Sequence, residues 1–298
     1  MIWLIGSNNN IIGSEVYQVL KKNNIKFFFS NDEVNYTDYK LLSSITKDVN
    51  IKFIINLHTN DVNSKEFMIG NNILWDKKAE LINKNILSIC KEKNAVLITL
   101  SVNEVFSGSN FSGYTEEDTP QPLNSYGQYF YEYEQFLLSS YEKNIILRTS
   151  NLFGKFGTNY AYFLLKVLGG GGKINVVDDE TFSPTYALDL AKVIVHLTLA
   201  NLTSYGLYHC SNIGMTDWFT YSQTIFDLSI KYGILPPWLK SKAKLIPISH
   251  TEYGTEYKRP QHTVLICDKL SVDYKINMRS WEIALEDFFY TIQKNKEK

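Results

Sequence analysis

The 298 residues carry 30 Lys plus Arg against 31 Asp plus Glu, a formal net charge of −1, and this balance, with no basic block, argues against a broad cationic face for nucleic acid. With 44% hydrophobic and 20% charged residues, the composition is that of a folded soluble protein and excludes disordered, collagen-like and repeat chains. No apolar run approaches the roughly 18 residues that cross a bilayer, and Met1-Ile2-Trp3-Leu4-Ile5-Gly6 lacks the charged region and cleavage site of a signal peptide. The expectation is a cytoplasmic protein with no membrane or nucleic-acid partner.

In chain order, Ile2 to Ile5 is a compact apolar strand, followed by a Gly/Asn turn and a helix from about Ser14 to Lys22. Ile25 to Phe29 is the next strand, Tyr39 to Thr46 a helix and Lys52 to Leu57 a third strand. A longer helix covers much of Leu74 to Lys91, and Ala95 to Leu100 is a fourth strand. After a polar loop, Tyr126 to Tyr141 is helical and Ile145 to Leu147 returns to strand. Strands alternating with helices at this spacing predict βαβ units, hence an α/β doubly wound parallel sheet covered on both faces. Residues 1–150 form its core.

Beyond Thr149 the pattern loosens, with Gly169 to Gly172 a flexible break and Pro236-Pro237 a stiff one. Asp189 to Leu199 and Asp217 to Tyr232 are predicted helices; Tyr208 to Cys210 and Thr263 to Ile266 are short strands. Residues 151–298 are therefore expected to complete the sheet and build a small subdomain on it. Lys294 to Lys298 is a frayed end. Cys90, Cys210 and Cys267 are too few and scattered for a disulfide framework or a CxxC site and are expected as buried thiols. His196, His209, His250 and His262 show no ligand spacing, so no metal is expected.

The turn after the first strand, Gly6-Ser7-Asn8-Asn9-Asn10-Ile11-Ile12-Gly13, lies where a dinucleotide fold turns backbone N–H groups and a helix N-terminus towards pyrophosphate. Glycines serve there because the chain turns tightly and approaches phosphate without a Cβ. Only the outer two are present. Asn9 or Asn10 could supply the left-handed conformation, and a plain polar turn is the competing reading.

The segment Tyr114-Thr115-Glu116-Glu117-Asp118-Thr119-Pro120-Gln121-Pro122-Leu123-Asn124-Ser125-Tyr126-Gly127 resembles the loop and catalytic-helix start of the dTDP-4-dehydrorhamnose reductase family, within the extended short-chain dehydrogenase/reductase superfamily. Further matches follow in order: Leu147-Arg148-Thr149-Ser150 with Phe153-Gly154, then Val176-Val177-Asp178-Asp179 with Ser183-Pro184-Thr185-Tyr186-Ala187 and Asp189-Leu190-Ala191. Gly206-Leu207-Tyr208-His209 with Ser211-Asn212, and Arg259-Pro260 before Val264-Leu265, complete the series. The resemblance implies a Rossmann domain binding NADPH or NADH, a small C-terminal substrate subdomain, and reduction of a dTDP-linked 4-keto-6-deoxyhexose or similar nucleotide sugar between them.

Such enzymes use a tyrosine as proton donor, a lysine that lowers its pKa and holds the nicotinamide ribose, and a Ser or Thr that polarises the carbonyl. Carried over, the donor is Tyr126, while the lysine and hydroxyl positions hold Phe130 and Val102. The resemblance places Gly6, Asn9, Asn10, Ile11, Ile12, Gly13, Asp32, His58, Ser101 and Tyr126 on the cofactor side. It places Val102, Asn103, Asn151, Ser183, Tyr186 and Arg259 on the substrate side, with Arg259 as a fork for diphosphate. Turn geometry is an equal reading for Ser183 and Tyr186, and His58 is expected to intrude on the cleft. Asp32 is a candidate ribose contact that leaves NAD against NADP open. Tyr129, Tyr131 and Tyr133 are expected as packing or interface surface. Two functions stay open: a reductase with impaired or altered chemistry, and a non-catalytic homologue that binds a nucleotide, a sugar or a protein. A homodimer or a regulatory partner suits either.

Overall fold

The structure, a computed structural model, describes residues 1–6, 10–31, 33–57, 77–254 and 258–296. Its centre is a six-stranded sheet in the order β2-β1-β3-β4-β5-β10, parallel at every pairing. The strands are β1 (Ile2–Ile5), β2 (Phe27–Ser30), β3 (Phe53–Asn56), β4 (Val96–Val102), β5 (Asn144–Thr149) and β10 (Gly206–His209). All seven residues of β4 and all six of β5 are buried, which is why apolar residues dominate their centres: both faces are covered.

One face carries the helices Ile11–Lys22 and Ala187–Leu199, packed on Leu4, Ile55, Ile98 and Leu147. The other carries Lys77–Lys93 and Ser125–Ser140, packed on Trp3, Ile54, Leu97 and Ile146. The first helix begins three residues before the sequence expectation because Asn10 caps it: its Oδ1 accepts from the amides of Ile12 and Gly13, at 2.9 and 3.3 Å. Lys21 and Lys22 close its other end, where cations favour the helix dipole.

Short pairs build the second layer: β6 (Leu152–Phe153) with β9 (Thr185–Tyr186), β7 (Gly172–Val177) with β12 (Ala243–Ile248), and β8 (Thr181–Phe182) with β11 (Thr216–Asp217). Together with the helices Tyr160–Gly169, Trp218–Lys231 and Trp281–Lys296 they enclose a third core around Phe153, Tyr186, Tyr221 and Phe288. Gly172 opens β7, so the predicted break at Gly169 to Gly172 is a helix end followed at once by a strand. The expected strand Thr263 to Ile266 is replaced by isolated bridges, Thr181 with His262 and Tyr114 with Leu265: two different segments each meet it once. The lysine-rich end continues the last helix to Lys296. Cys90 and Cys210 are buried free thiols, and Cys267 is half-buried.

Candidate active site

The sheet order reverses between β1 and β3, and their C-terminal ends open the crevice where doubly wound folds take ligands. Gly6 ends β1 there, and a Cβ on it would stand 3.3 Å from the Leu57 Cβ across the crevice. A side chain there would press on Leu57, which would have to give by a few tenths of an ångström. At the start of the following helix, Ile12 and Gly13 are buried, Ile11 is half-buried, and the Asn10 carboxamide already takes two amides that an anion would otherwise find. Asn9, Asp32 and His58 lie outside the described residues.

The helix Ser125–Ser140 starts at the same edge of the sheet, capped by Asn124, whose Oδ1 accepts from the Gly127 amide at 2.8 Å. Tyr126 is half-buried on its first turn. Phe130, one turn later, is 1% exposed and meets the Tyr126 ring edge-on at 5.1 Å and the Tyr129 ring at 5.4 Å. Val102 belongs to the same apolar cluster. The positions of the lysine and the hydroxyl are thus parts of the core. Tyr129 and Tyr133 are buried in it as packing residues, and Tyr133 also hydrogen-bonds the Thr99 hydroxyl at 2.8 Å.

Ser101 is fully buried and gives its hydroxyl to Glu134 Oε1 at 2.5 Å, so its side chain stands between helix and sheet, away from the cleft wall assigned to it. Arg148 forks onto the same carboxylate, Nε to Oε1 at 2.7 Å and Nη2 to Oε2 at 2.6 Å. His209 completes the group: its Nε2 lies 3.3 Å from Arg148 Nη1 and its Nδ1 3.1 Å from the Tyr114 carbonyl. Burial, then the adjacent guanidinium, pushes His209 down to about 3, so at neutral pH it is an uncharged ring that donates through Nδ1 and accepts through Nε2.

Beyond the ends of β4 and β5 lies a polar cleft lined by Asn103, Glu104, Asn151, Glu180, Trp218 and Arg259, among others. Its interior is about 30 Å³, room for one or two waters. Asn103 is a tie in the floor, its Nδ2 donating to Ser150 Oγ at 2.9 Å and Thr263 Oγ1 at 2.7 Å. Asn151 adopts φ 34° at the end of the β5 turn, and its carbonyl accepts from the Thr185 amide at 3.2 Å. Ser183 and Tyr186 are buried at 1% and 0% exposure. Tyr186 stacks on Phe153 at 5.2 Å, which makes packing its observed role.

Arg259 faces the cleft, yet its Nη2 is 3.1 Å from Glu180 Oε2 and its guanidinium lies over the Trp218 ring at 5.7 Å. Glu180, 3% exposed, also accepts from Trp218 Nε1 at 3.0 Å and meets His250 Nδ1 at 2.5 Å. Opposite, Glu104 Oε2 accepts from Asn124 Nδ2 at 2.8 Å. Burial raises the Glu104 carboxyl above the usual carboxylate range, and Glu180 adds to this while Asn124 and Arg259 oppose it. Burial, then the Glu104 charge, likewise pushes the Tyr126 phenol above its ordinary value.

Sequence reasoning missed Glu104, Asn124, Glu180, Trp218 and His250. Asn124 stood inside a quoted motif and Glu104 two residues beyond Val102, but their pairing across 20 residues left no periodic signal. A family model for the RmlD substrate binding domain matches residues 1–294. The dTDP-4-dehydrorhamnose reductase of Aggregatibacter actinomycetemcomitans is 29% identical over 198 residues, 65% of this chain and 66% of the relative, so the chain spans just under two thirds of that protein. The dTDP-4-keto-6-deoxy-D-glucose reductase of Streptomyces niveus is 25% identical over 295 residues, 96% of each. A crystal structure of dTDP-4-dehydrorhamnose reductase from Bacillus anthracis in complex with NADP superposes with TM-score 0.81 at 26% identity, covering 97% of this chain and 99% of that one.

Proposed function

The chain belongs to the RmlD substrate binding domain family, and from that premise we propose that it is a reductase of nucleotide-sugar metabolism, acting on a dTDP-linked 4-keto-6-deoxyhexose or a close analogue with altered catalytic support. The observation that carries this reading is Tyr126: the donor position keeps its phenol, on a capped helix start, beside a polar cleft with Arg259 on its far wall.

The residues fit a nicotinamide dinucleotide in part. The glycine approach of Gly6 to Leu57 and the helix start at Ile11 suit a pyrophosphate, while Asn10 withholds the Ile12 and Gly13 amides and Phe130 offers the ribose no cation. Gly6, Ile11, Ile12 and Gly13 would hold the dinucleotide, which when bound supplies hydride to the carbonyl carbon. Tyr126 would stand at the carbonyl oxygen. Each missing acid or oxyanion donor removes about 10²- to 10³-fold, so turnover is expected to be slow.

A second reading, a non-catalytic homologue that binds a nucleotide, a sugar or a regulatory partner, is favoured by the self-capped helix and the core positions of Phe130 and Val102. One titration separates them. NADPH and NADH are added while the fluorescence of Trp218 and Trp3 is followed, and dTDP-4-keto-6-deoxyhexose is then supplied. Cofactor binding followed by oxidation of the reduced nicotinamide establishes the reductase. Absence of binding at millimolar cofactor leaves the non-catalytic reading.

A further inference from the structure

The cleft holds a carboxyl group that the family's tyrosine-based chemistry does not call for. Glu104 lies two residues beyond Val102, on the short 3₁₀ turn Asn103–Val105 that follows β4. Two contacts bring it to the catalytic helix. Gly127 lets the turn approach so closely that a Cβ there would stand 2.1 Å from the Glu104 carbonyl oxygen. Asn124 then bridges the two elements, its Oδ1 on the Gly127 amide and its Nδ2 on Glu104 Oε2, both at 2.8 Å. Among the described residues, Glu104 Oε1 has no hydrogen-bond partner, on a side chain that lines the cleft.

Resting on the reductase reading above, we propose that Glu104 is the proton donor to the sugar carbonyl, using the unbonded Oε1 side of a carboxyl that Asn124 fixes next to Tyr126. The setting favours the protonated form of this group over the charged one. Burial disfavours its charge and Glu180 repels it, while the guanidinium that could neutralise it, Arg259, is itself engaged by Glu180. The neighbouring phenol is also moved upward, burial by itself strengthening its hold on its proton before any charge on Glu104 is counted. Of the two, Glu104 gives up a proton more readily. In the step, the C=O π bond breaks, the carbon gains hydride from the reduced nicotinamide, and the oxygen gains the Glu104 proton. Glu104 is left as carboxylate and is reprotonated from water. Tyr126 keeps its proton and donates a hydrogen bond to the same oxygen.

Among the described residues, the groups that face Glu104 are Tyr126 and Asn124 on the helix side, Arg259, and Glu180 with His250 behind it. The test measures binding of dTDP-4-keto-6-deoxyhexose by calorimetry from pH 5 to 9, with NADPH-dependent turnover of the same samples. The expected result is affinity that weakens by up to about tenfold per pH unit above the titration of Glu104, a dependence kept in His250→Gln and absent in Glu104→Gln. Glu104→Gln, which retains an N–H donor without a transferable proton, is expected to bind the ketone within a few-fold of wild type at neutral pH and to turn over about 10²-fold slower or worse. Binding that is independent of pH in the wild type, or a Glu104→Gln protein with undiminished turnover, overturns the proposal. A wild type that binds the ketone with the Glu104-dependent pH profile and yet never oxidises NADPH overturns the reductase reading and leaves Glu104 as the donor to a bound carbonyl.

Discussion

Two glutamates are held at the helix Ser125–Ser140, Glu104 against its first turn and Glu134 within its length, and the protein treats them in opposite ways. Glu134 is fully buried and receives an arginine fork, a serine hydroxyl and, through Arg148, a neutral histidine. Glu104 is half-buried at the helix start and receives one asparagine amide. A carboxylate forked by a buried guanidinium fastens strand to helix; one without such a fork is raised by its burial above the usual carboxylate range. The contrast separates a group used for structure from one available for chemistry.

The harshest way to break the contrast is Arg148→Met, which strands the Glu134 charge in the core. Unfolding in denaturant should show a loss of about 3–5 kcal/mol. Next is Phe130→Lys, which restores the family's cation inside the apolar cluster. A buried ammonium without a carboxylate beside it, together with the lost aromatic packing, should cost about 3 kcal/mol, and turnover assays should show no full activity while Val102 and the first turn are unchanged. Gly127→Ala presses a methyl group onto the Glu104 carbonyl and should destabilise by about 1–3 kcal/mol, weakening ketone binding more than cofactor binding in parallel titrations.

A milder probe is pH. His209 has a folded-state pKa of about 3 against an ordinary 6.5. The unfolded chain therefore takes up a proton that the fold refuses, and the stability this contributes is complete above pH 6.5 and lost as pH falls towards 3. The slope is at most about 1.4 kcal/mol per unit; denaturant curves at successive pH values should show it in wild type and not in His209→Gln. The smallest expected change in stability is from Asn10→Gly, a few tenths of a kcal/mol. That variant exposes two helix amides, and NADPH should bind it more tightly than wild type.

The sequence allowed much of the sheet to be read, and for a physical reason: β1, β3, β4 and β5 are rich in apolar residues because both faces of the sheet are buried there. Tyr39–Thr46 matched to the residue. The β7–β12 pair escaped notice because Lys173, Asn175, Lys244 and Pro247 interrupt its apolar residues. At the site, Tyr126, Phe130 and Val102 were placed by motif and do share one cluster. The ion-pair and hydrogen-bond partners were not legible: Glu180 joins Trp218, His250 and Arg259 from segments 38 to 79 residues away, and nothing local announces such a meeting.

The sixth strand carries a consequence for biosynthesis. Because β10, Gly206–His209, covers the outer edge of β5, a chain leaving the ribosome has made five strands long before the one that seals them. Until residue 209 emerges, the edge of β5 is an open template for pairing with other chains, and Arg148 stands beside a gap where an imidazole belongs. The lag between residues 149 and 206 is thus an interval in which this edge is open to pairing.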